Sequence, residues 1–149
     1  PFGGPQPYMD VDGVAIRRAG DSKAFSHLAA RPAEGTYLRD AKDSAVYQVV
    51  GGAPLYVTSW VPFGGQHSTV RVDGAALALA GRGWPFHTLS YRPAPDTWLQ
   101  AQPGGATYRI DGAGRALPEP PPPGTTTATV NQETINRVGT GPRYDHLAK

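Results

Sequence analysis

The chain is 149 residues long, with 14 basic and 12 acidic side chains, a formal charge of +2, no cysteine, 19 glycines and 16 prolines. Disulfides and thiolate metal sites are thereby excluded, and without a clustered basic run the pI near 9.1 does not make a nucleic-acid surface. The longest apolar run, AALALA at 75–80, is far too short for a membrane span.

The sequence opens on PFGG and repeats those four residues at 62–65. Shifted by 61, residues 1–52 register with 62–113 without a gap. Val11-Asp12-Gly13 meets Val72-Asp73-Gly74, Phe25 meets Phe86, Leu28 meets Leu89, and Arg31-Pro32 meets Arg92-Pro93. A third, partial copy follows at an offset of 119: Val130-Asn131 answers Val11-Asp12, Ile135 answers Ile16, and YDHLA (144–148) answers FSHLA (25–29). Fixed-period self-similarity is the mark of a repeat architecture, in which each element buries its apolar face against its neighbour. The expected division is repeat 1 at 1–61, repeat 2 at 62–119 with a degenerate third strand and a Pro-rich connector, and the helical half of repeat 3 at 120–149. A chain that starts on the recurring phrase, without Met, is expected to be a segment of a longer array.

Within each copy, Asp12, Asp73 and Asn131 are placed to cap a short helix through their side-chain oxygens. That helix carries Ile16, Leu77 or Ile135 inward and stops near Gly20, Gly81 or Gly139. An extended or short helical piece, FSHLAARP, follows. A β-meander comes next: GTYLRD as one strand, SAVYQVV as a second, a GG turn, and APLYVTSW as a third. Strict alternation in the middle strand sends Val46 and Gln48 to one face and Tyr47 and Val49 to the other. The second copy has AQPGG at its middle turn and decays into GRALPEP where the third strand belongs. The tract LPEPPPPGTTTATV (117–130) favours polyproline II, a stiff connector or a docking site for a Pro-binding domain. The expected fold is α+β: tandem repeats of a two- to three-stranded antiparallel meander plus a short helix, joined by Gly/Pro-rich turns.

Candidate chemistry is sparse. Asp10, Asp12 and Gly13 resemble the start of a calcium loop, but the later carboxylates and the closing Glu are missing; capping explains them, and no metal or other cofactor is expected. His27 and His146 share one repeat position and read as architectural contacts, while His67 stands alone in a loop. No nucleophile elbow, zinc-protease motif or phosphate-cradling loop occurs, and the positions kept between copies are Gly, Pro, Leu, Phe and Thr rather than acids or nucleophiles. The expectation is a non-enzyme. Aromatic rings carry the remaining signal. Tyr37 and Trp98 occupy matched positions, with Tyr56, Trp60 and Trp84 nearby and Arg39 beside them. Flat aromatic faces next to polar side chains suit sugar rings, and they equally suit the core of a small sheet.

The stretch GTYLRDAKDSAVYQVVGGAPLYVTSWVPFGG resembles tandem repeats of about sixty residues found in secreted or envelope-associated proteins of actinobacteria and some other bacteria. Gly35, Thr36, Arg39, Val46, Tyr47, Gly51, Gly52, Ala53 and Pro54 carry the pattern; the second copy departs from it at Asp96, Gln100 and Thr107. The resemblance implies an accessory binding or spacer role at the cell surface or outside the cell. The expected function is a non-catalytic repeat module that binds envelope or extracellular polysaccharide, the alternative being a structural or protein-interaction module such as an adhesin segment or self-assembling subunit. Expected partners are a glycan or cell-envelope polymer, a protein partner or a second copy, with no nucleic acid and no membrane span. The candidate ligand-binding residues are Trp60, Trp84, Trp98, Tyr37, Tyr56 and Arg39.

Overall fold

A computed structural model of the chain describes residues 12–21 and 30–149. The PFGG at 1–4, Asp10, Phe25, His27 and Leu28 lie outside the described residues. Among the described residues the elements are α1 (Gly13–Arg17), β1 (Tyr37–Asp40), β2 (Val46–Val50), β3 (Ala53–Val57), β4 (Val70–Val72), α2 (Gly74–Ala78), β5 (Trp98–Gln102), β6 (Ala106–Ile110), β7 (Ala116–Pro118), β8 (Ala128–Asn131) and α3 (Gln132–Asn136). They make a mixed α/β architecture with two four-stranded sheets, ordered β3-β2-β1-β4 and β7-β6-β5-β8. In each sheet three sequential strands pair antiparallel, and a fourth from further along the chain pairs parallel with the first.

The third strand of the second sheet does form, but only as the three residues of β7, which end on Pro118. The stretch 120–149, expected to be helical only, also supplies β8. Both follow from the open edges of a meander: β5 and β6 each offer unpaired backbone groups that a short strand satisfies.

Local chemistry explains the helix starts. Asp12 accepts from the Val14 amide at 3.1 Å and Asp73 from the Ala75 amide at 2.9 Å, each from an extended N-cap backbone. Asn131 occupies the same position, yet its side chain makes no cap bond. It is buried, and its amide crosses to the first sheet: Thr58 N donates to Oδ1 at 3.0 Å, and Nδ2 donates to Ser59 O at 2.9 Å. The carboxamide, holding both a donor and an acceptor, satisfies backbone groups just beyond β3. Thr134 adds a third tie, its hydroxyl donating to Tyr56 O at 2.7 Å.

Two cores follow. Leu38, Tyr47 and Val49 of the first sheet pack with Leu77, Ala80 and Leu89, so α2 and the segment after it close one face of the preceding sheet. Leu99, Ile110 and Val130 of the second sheet pack with Leu147, Ile135 and Val138, and Val50 and Leu55 join them from the first sheet. The first sheet is therefore covered on both faces, which is why β2 is buried at Val46, Tyr47, Val49 and Val50 rather than at alternate residues. Ile16 departs from the expected inward placement and is 52% exposed, against 3% for Leu77.

Two outcomes test this packing. Asn131→Ala leaves Thr58 N and Ser59 O without the partners that Asn131 gives them and is expected to cost about 2 kcal/mol or more in urea unfolding; Asn131→Asp, which keeps the acceptor but buries a carboxylate oxygen against Ser59 O, is expected to cost at least as much. His146 is 3% exposed, its Nδ1 lying 2.7 Å from Tyr91 O. Burial holds its imidazole below the ordinary 6.5, the backbone contact opposing this. The unfolded chain therefore takes up the proton first as pH falls. Stability from this residue is complete above 6.5 and is lost on acidification below it. Melting temperatures measured across that range are expected to drop, and to drop less steeply in His146→Gln.

Candidate functional site

The Gly51-Gly52 turn between β2 and β3 positions the site. Gly51 has φ +56°, and a Cβ there would lie 2.6 Å from Thr97 Oγ1 and 2.9 Å from Ala94 N. Only glycine fits both the left-handed backbone and the approach. The turn docks on the chain leading into β5: Gly51 O accepts from Ala94 N at 2.9 Å and Gly52 O from Ser90 N at 2.8 Å. On its other side, the Glu34 carboxylate accepts from both amides, Gly51 N and Gly52 N, at 2.7 Å each.

A groove of about 640 Å³ opens at this seam between the sheets. Tyr37, Phe63, His67 and Trp98 supply its aromatic surface; Gln48, Thr97, Thr126, Thr127 and Thr129 line it with polar groups, as do the carboxylates of Glu34 and Asp96. The ring of Tyr37 stacks on His67 (centroids 4.9 Å apart, 19° between planes) and meets Trp60 at 5.0 Å and Phe63 edge-on at 5.8 Å. His67 is fixed by a 2.8 Å contact of Nε2 with Phe63 O. Burial raises the Tyr37 phenol above its usual 10.0, so the ring presents a neutral face. Asp96 takes the left-handed backbone (φ +63°) at the position matching Gly35 and accepts from Arg109 at 3.1 Å. Arg109 also holds Glu119 at 2.8 Å.

Of the six residues singled out from sequence, Tyr37 and Trp98 line the groove together. Trp60 stands behind Tyr37, touching Phe63 and His67. Arg39 follows Tyr37 on the same face of β1, half-buried, and its Nε has no hydrogen-bond partner among the described residues. Tyr56 belongs elsewhere: its ring contacts Tyr47 and Tyr144 at 5.4 Å, and its hydroxyl accepts from Arg143 at 3.1 Å. Trp84 is 63% exposed and lines a separate depression with Ile16, Arg31 and His87. Gln48, Glu34, Phe63, His67 and the threonines at 126–129 were missed. Phe63 carried one signal, its place in the recurring PFGG; the others reach the groove only through tertiary structure.

No protein-family model, curated protein or solved structure matches this chain. Among the described residues no helix is long and apolar enough to cross a membrane, and no group of three or more His, Cys, Asp or Glu side chains is placed to hold a metal ion.

Glu34→Ala removes the acceptor for both turn amides. Loss of about 1–2 kcal/mol is expected for this solvent-facing, charge-assisted pair, with faster hydrogen exchange at Gly51 and Gly52 than at β2 as the local readout.

Proposed function

We propose that this chain is a non-catalytic tandem-repeat module of a secreted or cell-surface bacterial protein, and that it binds envelope or extracellular polysaccharide in the groove between its sheets. The groove itself carries the reading. It sets aromatic faces (Tyr37, Trp98) beside hydroxyls and amides (Thr126, Thr127, Gln48) in one concave surface. Stacking on the apolar faces of sugar rings needs the first set, and holding their hydroxyls needs the second. Its volume falls within the roughly 300–1,000 Å³ of small-molecule sites. The repeat reading is supported by the sequence self-match and by the common strand order of the two sheets. Matched positions also fill the two cores: Leu38 and Leu99, Val49 and Ile110, Leu77 and Ile135, Leu89 and Leu147. The sequence resemblance to surface-associated repeats supports the location.

A structural or protein-interaction module is the second reading, favoured by the exposure of Val61 (85%) and Trp84 (63%), neither of which lines the groove.

The test is binding of the folded protein to a polysaccharide panel and to bacterial cell-wall preparations. Trp98→Ala is expected to weaken binding about tenfold, equivalent to about 1.4 kcal/mol of lost contact, whereas Trp84→Ala leaves it unchanged. No binding by the folded protein, with growth in size at rising concentration, favours the second reading.

A further inference from the structure

We propose that the site does not stop at the groove but continues over the outer face of the second sheet, with Trp98 as its stacking surface and Gln100 as a further hydroxyl-binding residue. It then takes an extended stretch of polymer rather than a single sugar; the inference rests on the polysaccharide reading above. Alternation along β5 makes two faces. Leu99 and Ala101 are fully buried in the second core, and Trp98 and Gln100 stand half-buried on the other side. Strand register carries that outer face across the whole sheet. Trp98 stands opposite Arg109 and Arg109 opposite Leu117, while Gln100 stands between Thr129 and Thr107. Trp98 and Thr129 also line the groove, so the groove wall and the outer face are one surface. From β8 to β7 that surface covers three strand spacings, about 14 Å, which is longer than one sugar ring.

The groups on this surface are open to a ligand. Tyr37, the counterpart of Trp98 on the first sheet, has its ring packed by Trp60, Phe63 and His67, whereas Trp98 makes no ring contact among the described residues. The connectors after the two meanders make the difference: residues 58–69 bring three rings, and residues 119–127 bring prolines and threonines. The side chains of Gln100, Thr127 and Thr129 make no hydrogen bond among the described residues. Nor are they shut away from solvent, since the buried side-chain polar atoms without a partner there are Arg39 Nε and Gln48 Oε1 alone. The Gln100 carboxamide and the two hydroxyls can therefore exchange water for ligand hydroxyls, both as donors and as acceptors. Arg109 is held by Asp96 and Glu119, so its remaining N–H donors are fixed in place on the same face. Leu117 belongs to neither core and adds apolar surface at the far end.

Calorimetric titration of the whole chain tests this, using size-fractionated hydrolysates, from single sugars to hexamers, of the polysaccharide or cell wall that binds most tightly in the panel above. Affinity is expected to rise about tenfold or more from disaccharide to hexamer. Gln100→Ala is expected to weaken hexamer binding about three- to tenfold, the worth of one or two neutral hydrogen bonds. Its melting temperature is expected to hold, because the Gln100 side chain has no hydrogen bond to lose. If Gln100→Ala does not fold, the wild-type side-chain amide resonances of Gln100 take its place, and they are expected to shift with the hexamer. A hexamer that binds no tighter than the disaccharide overturns the extension and leaves the groove standing as a polysaccharide site. Unchanged hexamer affinity in Gln100→Ala, or Gln100 resonances unmoved at saturation, overturns the path over the outer face. If no polysaccharide or cell-wall preparation binds the folded chain, the underlying reading fails and this inference with it.

Discussion

A meander of three short strands cannot bury its own apolar face, and both sheets here depend on how that shortage is met. The strands run from three to five residues, so each meander leaves one face bare and the outer side of its first strand unpaired. Both are supplied by sequence that comes later. β4 pairs with β1 in parallel and runs directly into Asp73, whose capping of α2 starts the helix that lays Leu77 over Leu38, Tyr47 and Val49. β8 pairs with β5 and runs into Asn131 and α3 in the same manner. A parallel fourth strand therefore fixes where the covering helix lands. Edge pairing and core closure are one event rather than two.

The arrangement explains why the division drawn from sequence and the division seen in space are out of step. The self-match places Val70–Val72 and α2 at the head of the second copy, yet they complete the first sheet. Much was legible nonetheless. Asp12 and Asp73 cap as their side chains dictate, the strands of the first meander lie where β-branched and aromatic residues cluster, and the GG turn falls between β2 and β3. What the sequence did not disclose depends on contacts between segments far apart in the chain. Asn131 has the chemistry of a cap and uses it 72 and 73 positions away. Ile16 has the hydrophobicity of a core residue and is exposed, because burial needs a partner surface and not only an apolar side chain. Tyr56, a ligand-binding candidate from sequence, is held between Tyr47, Tyr144 and Arg143.

The recurring PFGG at 62–65 lies between β3 and the β4–α2 segment, and the contact between the sheets is made elsewhere. Its second occurrence gives Phe63 to the ring cluster around Tyr37 and Trp60. The backbone contact between sheets is made by Gly51 and Gly52 instead, against Ser90 and Ala94. A Gly-Gly turn is the usual sign of a tight hairpin, and it serves that purpose here. The missing Cβ has a second consequence, because it allows Thr97 to approach the turn. The groove opens beside this approach, so its shape is tied to two residues that never line it.

The polar residues of the two sheets show how much stacking decides. Tyr37, Arg39 and Gln48 on the first sheet correspond to Trp98, Gln100 and Arg109 on the second. In both, one face of the meander carries an aromatic ring, an Arg and a Gln. On the second sheet the Arg stays half-buried and reaches two carboxylates, Asp96 at 3.1 Å and Glu119 at 2.8 Å. On the first sheet the same face is covered where Val50 and Leu55 enter the second core, and Arg39 Nε and Gln48 Oε1 are left unmatched. Residue type alone does not create those orphans. They lie on the face of the first sheet from which Val50 and Leu55 enter the second core. Buried polar groups without partners weaken a fold. The groove thus has its origin in the packing of the two sheets, and it is this concave seam, rather than the more exposed tryptophan at position 84, that the proposed function uses.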